Sequence, residues 1–296
     1  RTASQITRYS SVFTTHTPVP AGNEAFDVSR MGKYFNLYTQ ELGLKFEDLI
    51  ALGQVEDFNY NEAFSMTILG LRLTEFHNGV SKLHGSVSRN MWRNLWKDFP
   101  EEEIPIDAIT NGVHLPTWIS RELSELFDRY LQPSWKVDID NQTIWDNVDT
   151  IPSDELWREK QRRRLRLVLF SRDYLKSRQA DYLRPDQLEK INEYLDPDAL
   201  TIGFARRFAG YKRPFLIFSD MKRLKNILTN KDYPAQIIIS GKAHPHDIEG
   251  KKMIQSIIQK IHDYGLEKHV VFLEDYDIVI SRLMVKGCDV WLNNPI

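Results

Sequence analysis

Short apolar runs alternate with longer amphipathic stretches through the second half of the chain. TIGFA (201–205), QIIIS (236–240), HVVFL (269–273) and CDVWLN (288–293) are rich in β-branched and apolar residues. Runs of this length, without polar alternation, predict strands buried on both faces. Residues 213–230, 246–264 and 276–286, which lie between them, carry helical spacing of varying clarity. Strands alternating with helices in this way predict βαβ units and a parallel sheet. Ligands of such sheets bind beyond the carboxyl ends of the strands. Each run gives way to polar residues at its carboxyl end. Arg206, Arg207 and Lys212 come after the first, and Gly241, Lys242 and His244 after the second. Glu274, Asp275 and Tyr276 come after the third, and Asn293 and Asn294 after the last.

The first of these junctions reads FARRFAGYKRPFLIFSD (204–220), with Arg206, Arg207, Lys212 and Arg213 around Ala209-Gly210. Pro214 sits where a first helical turn tolerates proline, and LIFSDMKRLKNIL continues with helical spacing. A strand-to-helix junction offers free backbone N–H groups and a favourable dipole to an anion, and arginine adds a planar fork for phosphate oxygens. The same residues would equally make a solvated basic loop.

Elsewhere the pattern is less regular. Ser153-Asp154-Glu155 is a helix start, and a helix is predicted through WREKQRRRLRLVLFSRDYL. Five of the residues from Lys160 to Arg166 are cationic, but without aromatic interleaving for base stacking they read as a solvated helix face. Residues 186–195 predict a further short helix. Near the start, the strand-like run Ser11–Thr15 ends at His16-Thr17-Pro18-Val19-Pro20-Ala21-Gly22, a proline-fixed exposed loop. The stretch from Glu62 to Trp96 predicts a long amphipathic helix broken at Asn78-Gly79. His77 and His84 would then share one helical face as packing residues, since no third ligand has metal spacing with them. His244 and His246 resemble a metal pair only superficially. Asn111-Gly112, after an apolar run, predicts a tight turn near the boundary of the two halves.

Composition narrows the function classes. The 296 residues are 42% hydrophobic, enough for a large core and more than one domain. The net charge of −2 gives no bulk basic field for nucleic acid, so local clusters must carry any anion binding. A lone cysteine, Cys288, beside an apolar run fits a reducing compartment and a cytoplasmic protein without disulfides. No apolar stretch has the length of a membrane span. The chain begins with Arg1 and ends on Asn294-Pro295-Ile296 after a strand-like run, and is expected to be an internal piece of something longer.

Six motifs carry a resemblance. FTTHTPVPAGNEAF (13–26), NGVSKLH (78–84), TNGVHLPTW (110–118), FARRFAGYKRP (204–214), ISGKAHP (239–245) and FLEDY (272–276) stand in the order and at the spacing of the α-glucan phosphorylases. The chain resembles that pyridoxal-phosphate-dependent family across almost its whole length, and its short bacterial and archaeal branch in particular. RRFAGYKRP replaces the KRIHEYKRQ of the large animal and plant enzymes, and HTPVPAGNEAF their HTVLPEALE, while the matched His, Arg, Tyr and Lys are kept.

The resemblance implies an α/β fold of the GT-B glycosyltransferase type, with two Rossmann-like lobes, both incomplete here. Residues 1–107 would be the end of the N-terminal lobe and 108–296 the first part of the C-terminal lobe. It implies phosphorolysis of α-1,4-glucan or maltodextrin by inorganic phosphate, giving glucose 1-phosphate, and leaves self-association open. His16 matches the histidine beside the scissile sugar, and Asn111 the asparagine that bonds the sugar's 6-hydroxyl. Arg207 and Lys212 match the pair that holds the substrate and cofactor phosphates. Arg206 stands where much of the family has lysine, near the cofactor phosphate. Tyr211 matches a tyrosine at sugar hydroxyls and Tyr276 one near the cofactor ring. The lysine that binds pyridoxal 5'-phosphate covalently belongs to a Gly/Ser-rich motif expected beyond residue 296. Two other readings share features: a nucleotide-sugar-dependent synthase, which also places Arg and Lys at phosphates, and a non-catalytic glucan-binding module using Trp92, Trp96, Trp118 and Trp135.

Overall fold

A computed structural model describes residues 2–17 and 22–294, so that Pro18, Val19, Pro20 and Ala21 of the predicted proline-fixed loop lie outside the described residues. The chain forms two compact units, residues 1–113 and 114–296.

In the first unit, helix α1 (Thr2–Ser10) leads into strand β1 (Val12–Thr15). Strand β2 (Ala25–Phe26), helices α2 (Val28–Glu41) and α3 (Phe46–Ala51), and strand β3 (Phe64–Ser65) come next. Helix α4 (Met66–Leu73), strand β4 (Phe76–Gly79), helix α5 (Lys82–Trp92) and strand β5 (Asp107–Ala108) complete it. β1, β4 and β5 make a parallel sheet in that order, with Val12 opposite Phe76 and Asn78 opposite Asp107. β2 and β3 pair antiparallel. Val28, Met31, Ile50 and Phe64 form one core, and Leu71, Ile104 and Ile106 another, beneath Phe13, Trp92 and Trp96. The point between residues 107 and 108 falls inside β5, whose pairing with β4 holds it in this unit.

The stretch 62–96, predicted as an amphipathic helix broken at Asn78-Gly79, is instead β3, α4, β4 and α5. His77 lies on β4 and His84 on α5, so they share no helical face. His77 is buried, with Nδ1 2.8 Å from the Pro105 carbonyl and Nε2 2.8 Å from that of Leu71. Those backbone partners let a polar ring sit inside a strand, which hydrophobic periodicity cannot register. Among the described residues no cluster of His, Cys, Asp or Glu could hold a metal ion.

The second unit opens with helices α6 (Leu115–Trp118), α7 (Arg121–Tyr130), α8 (Gln142–Trp145), α9 (Ser153–Gln179) and α10 (Pro185–Lys190). Then strands and helices alternate: β6 (Leu200–Ala205), α11 (Met221–Leu228), β7 (Ala235–Ser240) and α12 (Ile248–Asp263). β8 (Val270–Leu273), α13 (Ile278–Gly287) and β9 (Val290–Trp291) end the series. The sheet is parallel, ordered β8-β7-β6-β9, with Gly203 opposite Ile238 and Ile239 opposite Phe272. Every residue of β7 is buried. Its alternate side chains feed two cores: Ile237 and Ile239 pack with Met221, Leu224 and Ile257, and Ile238 with Leu167, Val168 and Met284. Each such buried aliphatic contributes about 1.5–3 kcal/mol, and burial on both faces is why the strand reads as an unbroken apolar run.

The cationic stretch of α9 is only partly the solvated face its sequence predicts. Arg162 and Arg166 pair at the surface with Glu159 and Glu122. Arg164, 2% exposed, turns inward. Its Nη1 lies 3.0 Å from Asp289 Oδ2, and its Nε donates to the Pro197 carbonyl at 2.6 Å. The same carboxylate oxygen accepts the Thr201 backbone N–H at 2.8 Å, and Lys160 Nζ stands 3.5 Å from Oδ1. A buried arginine persists because it is paired and hydrogen-bonded. No helix among the described residues is long and apolar enough to cross a membrane.

Candidate functional site

The cation-rich loop leaves β6 at Ala205 and stays laddered to the chain leaving β7. Arg206 N–H donates to the Ser240 carbonyl at 3.2 Å, and Phe208 N–H to that of Lys242 at 3.0 Å. Phe208 is fully buried against the rings of Phe204 and Phe272. The anchored ring alternates with Arg207, which is exposed. Two glycines make room for this loop. Gly241, at φ +155°, would put a Cβ 2.0 Å from the Arg206 carbonyl oxygen, and Gly250, in the first turn of α12, one 2.5 Å from that of Phe208.

The helix predicted from Pro214 does not form there. Gly210–Lys212 is a 3₁₀ turn, and Arg213 takes a left-handed φ of +48°. Arg213 Nε donates to the Asn294 carbonyl at 2.7 Å, while Asn294 Nδ2 returns a bond of 3.2 Å to the Arg213 carbonyl. The helix, α11, begins only at Met221, capped by Asp220, which accepts from the Arg223 N–H at 3.0 Å. A helix dipole acts within its first turn, so it does not reach the cations, and the side chains themselves must supply the positive charge.

Arg213 is thus committed to holding the loop. Among the described residues, no carboxylate forms an ion pair with Arg206, Arg207 or Lys212. Lys212 Nζ sits 4.6 Å from the centroid of the half-exposed Tyr211 ring. Unpaired cations held on a clamped loop beyond a parallel strand form a site suited to an anion. Two strands along the sheet, past β8, Tyr276 donates its hydroxyl to Ser281 Oγ at 2.8 Å. Asp275, at φ +50°, pairs with Arg178, and Asp277 caps α13. His244 Nδ1 accepts the His246 backbone N–H at 3.2 Å, a local turn contact.

In the first unit His16 and Asn111 emerge beyond the carboxyl ends of β1 and β5, the strands that flank β4. Both are exposed. Asn111 is not in a tight turn: no turn forms over residues 109–114, and its N–H donates to the Val80 carbonyl at 3.2 Å. Val80 N–H in turn donates to His84 Nδ1 at 3.1 Å. The part that sequence reading missed is this backbone support: Val80 and His84 behind Asn111, and Gly241 behind Arg206. Only the glycine in ISGKAHP gave a signal for it.

These features define an α/β protein with parallel sheets and polar, cation-bearing loops at the carboxyl ends of their strands. The family model for carbohydrate phosphorylase matches residues 1–292, and the chain belongs to that family. It is 41% identical over 290 residues to a glycogen phosphorylase of Aquifex aeolicus, covering 98% of this chain and 41% of the relative. It is 38% identical over 293 residues to a maltodextrin phosphorylase of Thermococcus litoralis, covering 99% of this chain and 34% of the relative. A glycogen phosphorylase of Mycobacterium tuberculosis is 38% identical over 302 residues, covering all of this chain and 34% of the relative. The chain therefore spans between a third and about two fifths of the length of these relatives.

Proposed function

We propose that the protein carrying this chain is an α-glucan phosphorylase, with the two units belonging to the two Rossmann-like lobes of a GT-B fold. The observation that carries the reading is the exposed Arg207 and the nearby Lys212. Both lack carboxylate partners among the described residues and sit on one loop clamped beyond β6. The names of the relatives, glycogen and maltodextrin phosphorylase, supply the substrate class.

Inorganic phosphate would attack the anomeric carbon of a terminal α-1,4-linked glucosyl unit. The carbon–oxygen bond to the next sugar breaks, its oxygen takes a proton, and the products are glucose 1-phosphate and a glucan one unit shorter. The transition state is oxocarbenium-like, as in glycoside cleavage generally. Arg207 and Lys212 would fix the phosphate dianion, a task of positioning and electrostatics. His16, Asn111 and Tyr211 would orient the glucosyl ring through its hydroxyls.

The residues present fit a bound pyridoxal 5'-phosphate. Arg206 and Lys212 offer unpaired positive charge to its phosphate, and Tyr276, with its hydroxyl already bonded to Ser281, offers its ring. When bound, the cofactor supplies a phosphate group for proton transfer beside the substrate phosphate. The module reading loses support, because Trp135 is fully buried and Trp92 and Trp96 pack on a core. The test is to incubate the intact protein with maltodextrin and inorganic phosphate. Formation of glucose 1-phosphate is expected; glucan elongation from a nucleotide sugar, with no phosphorolysis, would overturn the proposal in favour of a synthase.

A further inference from the structure

We propose that His84 is a positioning residue for Asn111, acting through Val80. The inference rests on the reading of Asn111 as the group that binds the sugar's 6-hydroxyl.

His84 lies in the first turn of α5 and is 7% exposed. Its Nδ1 accepts the Val80 N–H at 3.1 Å, so the neutral ring carries its proton on Nε2. Nε2 is buried and has no hydrogen-bond partner among the described residues. A buried donor without a partner costs stability, so a ring that only filled space would be better replaced by an apolar one. What the imidazole adds at this place is the acceptor at Nδ1. Ser81 Oγ fixes the same turn by accepting the His84 backbone N–H at 3.0 Å.

The residue held by that acceptor is the one that holds Asn111. The Val80 carbonyl accepts the Asn111 N–H at 3.2 Å, and the Gly79 carbonyl accepts that of Ile109 at 2.9 Å. Asn111 is exposed, and its side-chain amide makes no hydrogen bond among the described residues. Its placement therefore depends on its backbone, and its backbone leans on Val80. Both ends of Val80 are tied, one to His84 and the other to Asn111, so rotation of Val80 would carry Asn111 with it. A displacement of about 1 Å at a substrate-orienting group is enough to lower catalysis by an order of magnitude or more.

Isosteric substitutions separate this role from packing. An asparagine places its amide oxygen where Nδ1 stands, whereas a glutamine reaches the Nε2 position. In the intact protein, His84→Leu should lower kcat/KM on glucosyl termini about tenfold. It should also reduce the preference for glucosyl over 6-deoxyglucosyl termini about tenfold, and His84→Asn should restore both where His84→Gln does not. Hydrogen–deuterium exchange of segment 109–113 should quicken in His84→Leu and return toward native in His84→Asn, with the melting temperature of His84→Asn as the control for folding. The proposal is overturned if His84→Leu keeps the preference, if glutamine rescues as well as asparagine, or if exchange in 109–113 does not change. If Asn111→Ala itself keeps that preference, the sugar reading of Asn111 fails, while the exchange measurement still judges the tether from His84.

Discussion

The carbonyl oxygen of Arg206 occupies the space that a side chain on Gly241 would need, 2.0 Å from the position of its Cβ. The loop after β7 is therefore part of the support for the loop after β6. In Gly241→Ala the backbone must move, because the new Cβ meets the Arg206 carbonyl and, at 2.8 Å, the fully buried Phe208 ring. Overpacking of this kind costs about 1–3 kcal/mol. The expected result is a lower melting temperature together with a raised KM for phosphate. A variant with native phosphate affinity would show that the two loops are independent.

Arg207 is exposed and unpaired with any carboxylate among the described residues, so removing it breaks no contact that holds the fold. Arg207→Ala should leave the melting temperature near native while lowering turnover about 10²- to 10³-fold, as loss of a charge-stabilising group does. Near-native turnover at saturating phosphate would refute its role in phosphate chemistry.

Asn111→Ala tests sugar recognition. A site built to bond a hydroxyl discriminates strongly against analogues that lack it, because its polar groups are then left unpaired. Activity on glucosyl termini should fall about 100-fold, and activity on 6-deoxyglucosyl termini much less. Equal losses on both would leave Asn111 a structural residue.

The second unit was the more legible part of the fold. Strands β6, β7 and β8 are buried on both faces, so they appear in sequence as unbroken apolar runs, and the helices between them bury one stripe each. β4 was hidden because its sequence, FHNG, is polar. Asn78 accepts from the Thr14 hydroxyl at 2.9 Å and His77 bonds carbonyls, so partners rather than apolar character account for its burial. The helix misread at Pro214 has a similar origin: spacing registers apolar residues but not the left-handed backbone at Arg213, which ends the turn and delays α11. At the candidate site the charged side chains were visible as residue types. Their supports were not, because Gly241, Val80 and the carbonyls they meet act through the backbone.

Cys288 gives a prediction in pH. Burial is the main cause that pushes its thiol up to about 12 from an ordinary value of 9.0, with Asp289 adding to the rise and Lys160 opposing it. The folded state thus prefers the neutral thiol. That contribution to stability is complete below about pH 9 and is lost as the pH rises through about 12. At pH 8 the native thiol should hold about a thousandfold less thiolate than the unfolded one and react with iodoacetamide correspondingly slowly. Equal alkylation rates in native protein and in urea would refute the burial argument.

The placement of Asp289 has a consequence for how the polypeptide is made. Arg164 and its carboxylate partner are 125 residues apart in sequence. At roughly 5–20 residues per second, Arg164 is in the nascent chain for on the order of 6–25 s before that partner is synthesised. During that interval Arg164 has no Asp289 to meet, and the Thr201 amide lacks the acceptor it uses at the start of β6. Strands β6 and β7 can pair while the ribosome is still translating the rest, but the buried charge cannot yet be neutralised. The last step in closing this unit is then an electrostatic one, set by a residue translated long after the helix it secures.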